Sequence, residues 1–107
     1  MTKCEFFTEG DRITGFSVSG HSGYAEAGSD IVCAAVSTAV TMAEATINEV
    51  CGAKAKVRVN EEDARVTLTL PASCDEEEAV QAELAGMLLT LCALREDYPD
   101  YIEVLEV

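Results

Sequence analysis

The side chains that could do chemistry are concentrated near two positions, 21 and 33. His21, the only histidine in the chain, lies in a glycine-rich segment, and Cys33 follows it twelve residues later. A thiol is mostly protonated at neutral pH, so it needs a base or a positive electrostatic environment before it attacks a carbonyl carbon. The pair therefore predicts a cysteine nucleophile activated by a histidine. The alternative is a structural cysteine beside a surface histidine.

A helix is predicted to begin at Ile31, directly after two residue types that commonly cap helix N-termini, Ser29 and Asp30. Such a cap would place Cys33 in the first turn, where unpaired backbone N–H groups and the helix dipole stabilise a thiolate or an oxyanion. Asp30 has a second interpretation, because its carboxylate could orient His21 as the third member of a triad.

Four neighbouring residues are candidates for supporting roles. Ser37 lies one helical turn after Cys33, so its hydroxyl could bind substrate or bond back to the carbonyl of Cys33. Tyr24 could line a peptide subsite or cover the core. Gly20 and Gly23 belong to a loop that is predicted to bring its backbone close to a ligand.

Metal and phosphate chemistry are disfavoured. The chain has one histidine and five cysteines without a C-x-x-C pair, so no metal site, disulfide framework or other cofactor is predicted. The glycine-rich loop lacks the Walker lysine and the G-x-G-x-x-G spacing, and it carries Glu26 and Asp30, which would repel phosphate.

Length and composition predict one cytoplasmic domain that spans residues 1–107. The chain is 49% hydrophobic, has a net charge of −13 and contains no uninterrupted apolar run of membrane-spanning length. Its first residues lack the pattern of an export signal. The negative charge argues against direct binding of nucleic acid and favours a basic protein or peptide as partner.

Hydrophobic periodicity predicts an α/β chain of the α+β type, with the order ββαββαβ. One mixed or antiparallel sheet should carry two helices, both on one face. The predicted strands are Cys4–Thr8, Ile13–Ser19, Lys56–Val59, Arg65–Leu70 and Tyr101–Val107, and the predicted helices run from Ile31 to about Val50 and from Ser73 or Cys74 to about Asp97.

The two predicted helices differ in their surfaces. The first is apolar on most sides, which indicates burial against the sheet and also against a partner chain. The second begins with Asp75, Glu76, Glu77 and Glu78, whose carboxylates suit the dipole at a helix start. Its buried stripe is predicted to comprise Ala82, Leu84, Ala85, Leu88, Leu91 and Cys92.

Two ordered segments carry a family resemblance. Residues 20–25 have the sequence GHSGYA, and residues 28–37 have the sequence GSDIVCAAVS. Together they resemble the signature G-H-x-G-x-A, then G-x-D-I-x-C-A-A-x-S, of the ribosomal-processing cysteine proteases called Prp. The length and the order of elements fit that family over essentially the whole chain.

The resemblance implies a small cytoplasmic endopeptidase that works as a homodimer. It implies that the enzyme removes a short N-terminal extension, which ends in two aromatic residues, from the large-subunit ribosomal protein number twenty-seven. It also implies that His21 and Cys33 are the catalytic dyad and that the loop between them is a flap that orders over the substrate.

Two other function classes remain open from the sequence. One is a non-catalytic ribosome-assembly or peptide-binding module that uses the glycine loop as a clamp. The other is a redox-sensing thiol protein, for which no neighbouring cysteine offers an obvious resolving partner.

Overall fold

The computed structural model describes residues 1–20 and 27–107, and for residues 27–30 it describes the backbone only. Along these ranges the elements follow the predicted order ββαββαβ. They are β1 (Thr2–Glu9), β2 (Arg12–Ser19), α1 (Ala27–Glu44), a π-helical segment that continues α1 (Ala45–Val50), β3 (Lys56–Asn60), β4 (Arg65–Thr69), α2 (Glu77–Asp97) and β5 (Ile102–Glu106).

The described strands form one five-stranded sheet with the order β3-β4-β2-β1-β5. β5 runs parallel to β1, and the other neighbouring pairs are antiparallel, so the predicted mixed sheet is confirmed. The alternation expected in the second hairpin is present, because Val57 lies opposite Leu68 and Val59 lies opposite Val66. Side chains that lie opposite one another in a pleated sheet share a face.

One hydrophobic core lies between this face of the sheet and the two helices. Phe6 of β1 lies opposite Phe16 of β2, and their ring centroids are 6.1 Å apart. The helical residues in the same core are Val32, Val36, Val40, Ala43 and Ile47, followed along the chain by Val80, Leu84, Met87 and Leu91. Because both helices contribute to a single core, both lie on one face of the sheet, as predicted.

α1 begins four residues earlier than the sequence indicated. Its first residue is Ala27, so Ser29 and Asp30 lie inside the first turn and neither is the N-cap. The prediction that one of them caps the helix is therefore wrong. Asp is favourable anywhere in a first turn, because its charge interacts with the dipole there as well as at the cap.

α2 also differs from the prediction, since it begins at Glu77 and not at Ser73 or Cys74. Glu76 precedes it in a left-handed conformation with φ of 56°, and no side chain caps the helix. The predicted stripe is wrong at Ala82 and Ala85, which are exposed. Val80 and Met87 lie in the core instead. The helix has apolar residues on both sides of the predicted stripe, and packing against the sheet decides which side is buried.

The start of α2 is attached to β2 by an ion pair. The Arg12 guanidinium contacts the Glu77 carboxylate and also donates from Nη2 to the carbonyl oxygen of Pro71 at 2.8 Å. The Cys74 thiol donates to Oε2 of Glu77 at 2.8 Å. The hydrogen bond from Arg12 lowers the pKa of the Glu77 carboxyl, so Arg12 and Glu77 both stay charged at neutral pH.

Candidate active site

Cys33 lies on α1, on the side of the helix that faces the sheet edge. It is the seventh residue of the helix, and its side chain is half-buried. The prediction that it lies in the first turn is therefore wrong. Unpaired N–H groups belong to the first four residues of a helix, and the dipole acts mainly within the first turn. The helix N-terminus therefore gives the Cys33 thiol less electrostatic support than the sequence predicted.

A cavity of about 420 Å³ opens between α1 and the sheet, and Cys33 lines it. The other lining residues come from β1, β2, α1 and the second hairpin: Thr2, Val18, Gly20, Val36, Ser37, Val40, Thr41, Glu44, Val59, Ala64 and Val66. Cys33 is thus not an isolated thiol on a helix surface but part of the wall of this cavity, which we also call the groove.

The floor of this cavity is apolar and crosses three strands. Val59 on β3 lies opposite Val66 on β4, which in turn lies opposite Val18 on β2. The three side chains form a row on the face that the helices partly cover. Val59 is 67% exposed, so this end of the row has no cover in the described part of the chain. An exposed apolar row beside a thiol suits an apolar side chain of a bound peptide.

The opposite wall of the cavity is one face of α1. Cys33, Ser37 and Glu44 recur at helical spacing, so they lie along the same side. Ser37 is exposed one turn from Cys33, where its hydroxyl is available to a bound chain. This wall carries a thiol, hydroxyl groups and one carboxylate, whereas the floor is hydrocarbon.

Gly20 forms the end of the cavity at the point where the chain leaves β2. Its φ is +85°, and a Cβ built on it would lie 2.5 Å from the carbonyl oxygen of Met1. Only glycine fits this combination of a left-handed backbone and a close neighbour without strain. Gly20 directly precedes His21 in the sequence.

Three of the predicted site residues, Gly20, Cys33 and Ser37, therefore meet at one cavity. His21, Gly23 and Tyr24 lie outside the described residues, so their predicted roles stay predictions. Asp30 is described only by its backbone, in the first turn of α1.

Sequence reasoning missed the valine floor and Glu44. The alternation along β3 and β4 predicted that Val59 and Val66 share a face, but it did not predict which element lies above them. That relation depends on the strand order, which brings β4 next to β2. The signal for Glu44 was present as a charge on an otherwise apolar helix, eleven residues after Cys33.

Two other thiols, those of Cys4 and Cys74, are poor candidates for a nucleophile. Burial raises the pKa of Cys4 to about 12, and Cys92 adds to this effect. Burial and the hydrogen bond to Glu77 raise the pKa of Cys74. A raised pKa keeps a thiol protonated and therefore unreactive at neutral pH.

Comparison with known proteins identifies the family of this chain. The chain matches the model of the cysteine protease Prp family over residues 1–103. It is 31% identical over 94 residues to the ribosomal processing cysteine protease Prp of Bacillus subtilis (strain 168), which covers 86% of this chain and 84% of that protein. The chain belongs to the Prp family of cysteine proteases.

Solved structures share the fold over the full length. A protein of Streptococcus mutans has a TM-score of 0.90 and 25% identity, with 100% of this chain and 94% of that chain covered. The essential ribosomal processing protease Prp of S. aureus matches with TM-scores of 0.88 in complex with a substrate peptide and 0.85 with a covalently linked product peptide. Identities are 18% and 20% with complete coverage of both chains, a likeness that shows the fold alone.

Proposed function

We propose that this protease acts through the thiolate of Cys33 with His21 as its base. On this proposal it removes an N-terminal extension from the large-subunit ribosomal protein number twenty-seven. The observation that carries the proposal is that Cys33 lines a cavity of about 420 Å³ with an apolar floor. The only histidine of the chain directly follows Gly20 in the sequence, and Gly20 lines that cavity.

In the proposed reaction the His21 imidazole removes the thiol proton of Cys33. The thiolate attacks the carbonyl carbon of the scissile peptide bond and forms a tetrahedral intermediate. His21 then gives the proton to the leaving amine as the C–N bond breaks. Water, deprotonated by His21, hydrolyses the resulting thioester and restores the thiol. In this scheme Asp30 orients the imidazole and the hydroxyl of Ser37 binds the peptide.

Charge and shape both support a ribosomal protein as substrate. The chain has a net charge of −13, which steers a basic protein toward it. The row of valines beside Cys33 could hold one of the two aromatic side chains that the family resemblance implies at the cleavage site. The B. subtilis relative is named for ribosomal processing. We place this reaction in the cytoplasm.

A homodimer is part of the proposal, because α1 and the π-helical segment that continues it expose apolar side chains to solvent. Ile31, Met42 and Val50 are 51%, 59% and 79% exposed. The helical stretch Ile31–Val50 is long and apolar enough to cross a membrane by length and composition, yet only 28% of it is buried within the described structure. Its inner face already belongs to the core, so a second copy is the better cover for the outer face.

The catalytic proposal is tested with single and double variants on a peptide that copies the ribosomal extension. We expect Cys33→Ala and His21→Ala each to lower kcat/KM by on the order of 10⁴, and the double variant to lose little more, because both remove the same pathway. Cys51→Ala is the matched control, since Cys51 is also half-buried but does not line the cavity. Undiminished cleavage by Cys33→Ala would overturn the proposal.

A non-catalytic peptide-binding module would give a different result. It would hold the peptide without cutting it, and its Cys33 would react with iodoacetamide only as the pH approaches about 8.5, the ordinary pKa of a thiol. The proposed protease should react with iodoacetamide at lower pH, with Cys33 as the modified residue.

A further inference from the structure

Glu44 gives the groove a charge that the proposed reaction does not use. Among the described residues that line the cavity, it is the only one with an ionisable carboxylate or a basic group. It is exposed. Within the described part of the chain, no hydrogen bond or ion pair joins its carboxylate to another side chain. This contrasts with Glu77, which is held by Arg12.

The position of Glu44 relative to Cys33 is set by the helix. Both lie on the same wall, eleven residues apart, which corresponds to roughly 16 Å at about 1.5 Å per residue. An extended peptide advances about 3.3 Å per residue. A peptide that lies along the groove with its scissile bond at Cys33 therefore brings its fourth to fifth residue from that bond beside Glu44.

We infer that Glu44 determines specificity by pairing with a basic side chain of the substrate. The basic residue lies four or five positions from the cleaved bond, and the groove carries no other charge in its described lining to compete for it. This inference rests on the proposed function, since it assumes that the substrate lies in the groove past Cys33. Glu44 does not touch the reacting atoms, so it contributes to substrate selection and not to bond cleavage.

The expected preference for a basic substrate residue near Glu44 is modest and sensitive to salt. Ion pairs at exposed positions usually contribute up to about 1 kcal/mol, which is about a fivefold change in affinity. The preference should decrease as salt is raised, because added ions screen exposed charges over a Debye length of about 8 Å at physiological strength. A merely structural role for Glu44 would give neither a charge preference nor this dependence on salt.

The test uses a set of peptides with a central pair of phenylalanines and a single lysine moved along an otherwise neutral sequence. Matched peptides carry glutamine or glutamate in place of the lysine. Cleavage is measured with the native protease, and binding is measured by fluorescence anisotropy with the Cys33→Ala variant. The binding arm reports on Glu44 even if no peptide is cut, so failure of the proposed catalysis is distinguished from failure of this inference.

We expect lysine four or five residues from the scissile bond to improve binding and kcat/KM by about two- to fivefold over glutamine at low salt. Glu44→Gln should abolish this difference, Glu44→Lys should transfer it to the glutamate peptide, and Glu78→Gln should leave it unchanged. Glu78 is an exposed glutamate outside the cavity and gives the same change in net charge. A lysine preference that persists in Glu44→Gln, or the absence of any preference at these positions, would overturn the inference.

Discussion

Replacing Gly20 by alanine adds one methyl group at the end of the groove and so tests how tightly the backbone is packed there. We predict that Gly20→Ala destabilises the protein by about 2–3 kcal/mol. The left-handed backbone costs an alanine about 1–2 kcal/mol, given the φ of +85°. The remainder comes from the contact of the new Cβ with the carbonyl oxygen of Met1, 2.5 Å away.

That carbonyl cannot move without a further loss. It belongs to the same peptide unit as the N–H of Thr2, which donates to the carbonyl oxygen of Tyr101 at 3.0 Å. Rotating the unit away from a Cβ at position 20 would weaken this hydrogen bond, which contributes about 1 kcal/mol. The methyl group is therefore expected to disturb either the end of β2 or the attachment of β1 to the C-terminal segment.

Gly10→Ala is the matched control. Gly10 also has a positive φ, of +62°, but a Cβ built there meets nothing within 4 Å. Its substitution should cost only the backbone strain of about 1–2 kcal/mol. The difference between the two variants, about 1 kcal/mol, isolates the contact with Met1 and should appear in urea unfolding as a shifted midpoint with an unchanged slope.

The two variants should also differ in activity. Gly20 directly precedes His21 at the end of the cavity, so a displaced backbone there moves the proposed base, whereas Gly10 lies in the distant β1–β2 turn. We expect kcat/KM to fall more than about tenfold in Gly20→Ala under conditions where it is folded, and to be unaffected in Gly10→Ala. Equal stabilities together with normal cleavage by both variants would refute the reasoning.

Three further predictions concern the Arg12–Glu77 ion pair, the proposed dimer and the reactivity of the thiols. Arg12→Met should lower stability at pH 7 by up to about 1 kcal/mol, because Glu77 is partly exposed and solvent screens the pair. The loss should be smaller in acid: the hydrogen bond from Arg12 depresses the folded-state pKa of Glu77, so this contribution is present above the unfolded pKa and is lost as the pH falls through the folded value. Equal losses at neutral and acid pH in urea titrations would contradict this. Met42→Asp should dissociate the proposed dimer in sedimentation at micromolar concentration, and a native protein that is monomeric there would exclude the dimer. In the folded protein at pH 7, iodoacetamide should modify Cys4 and Cys74 only after Cys33, and early labelling of either, seen by peptide mass mapping, would argue against their raised pKa values.

The parts of the fold that depend on local pattern were predictable from the sequence. Alternating valines and leucines indicated the second hairpin and the face that these side chains share, and both were confirmed, although Val59 on that face is exposed. The starts of the helices were not predictable, because Ser and Asp suit the first turn as well as the cap. The start of α2 involves Glu77 pairing with Arg12, 65 residues earlier in the chain, a contact that no local window contains.

The candidate site was predictable in its residue types but not in its surroundings. The motif drew attention to Cys33 and Ser37, and both line the cavity. The expected support from the helix N-terminus was wrong for Cys33, since the helix begins earlier than its capping residues suggested. The apolar floor required knowledge of which strands are neighbours, and strand order is a property of the whole sheet.

The floor of the groove has a consequence for when the protease can act. Its three valines come from β2, β3 and β4, and the thiol opposite them comes from α1. No single strand or helix holds all of these parts, so the groove exists only after these four elements have packed together. The proposed cleavage in this groove thus requires the tertiary structure, and on that proposal a newly made copy spares other chains until it has folded.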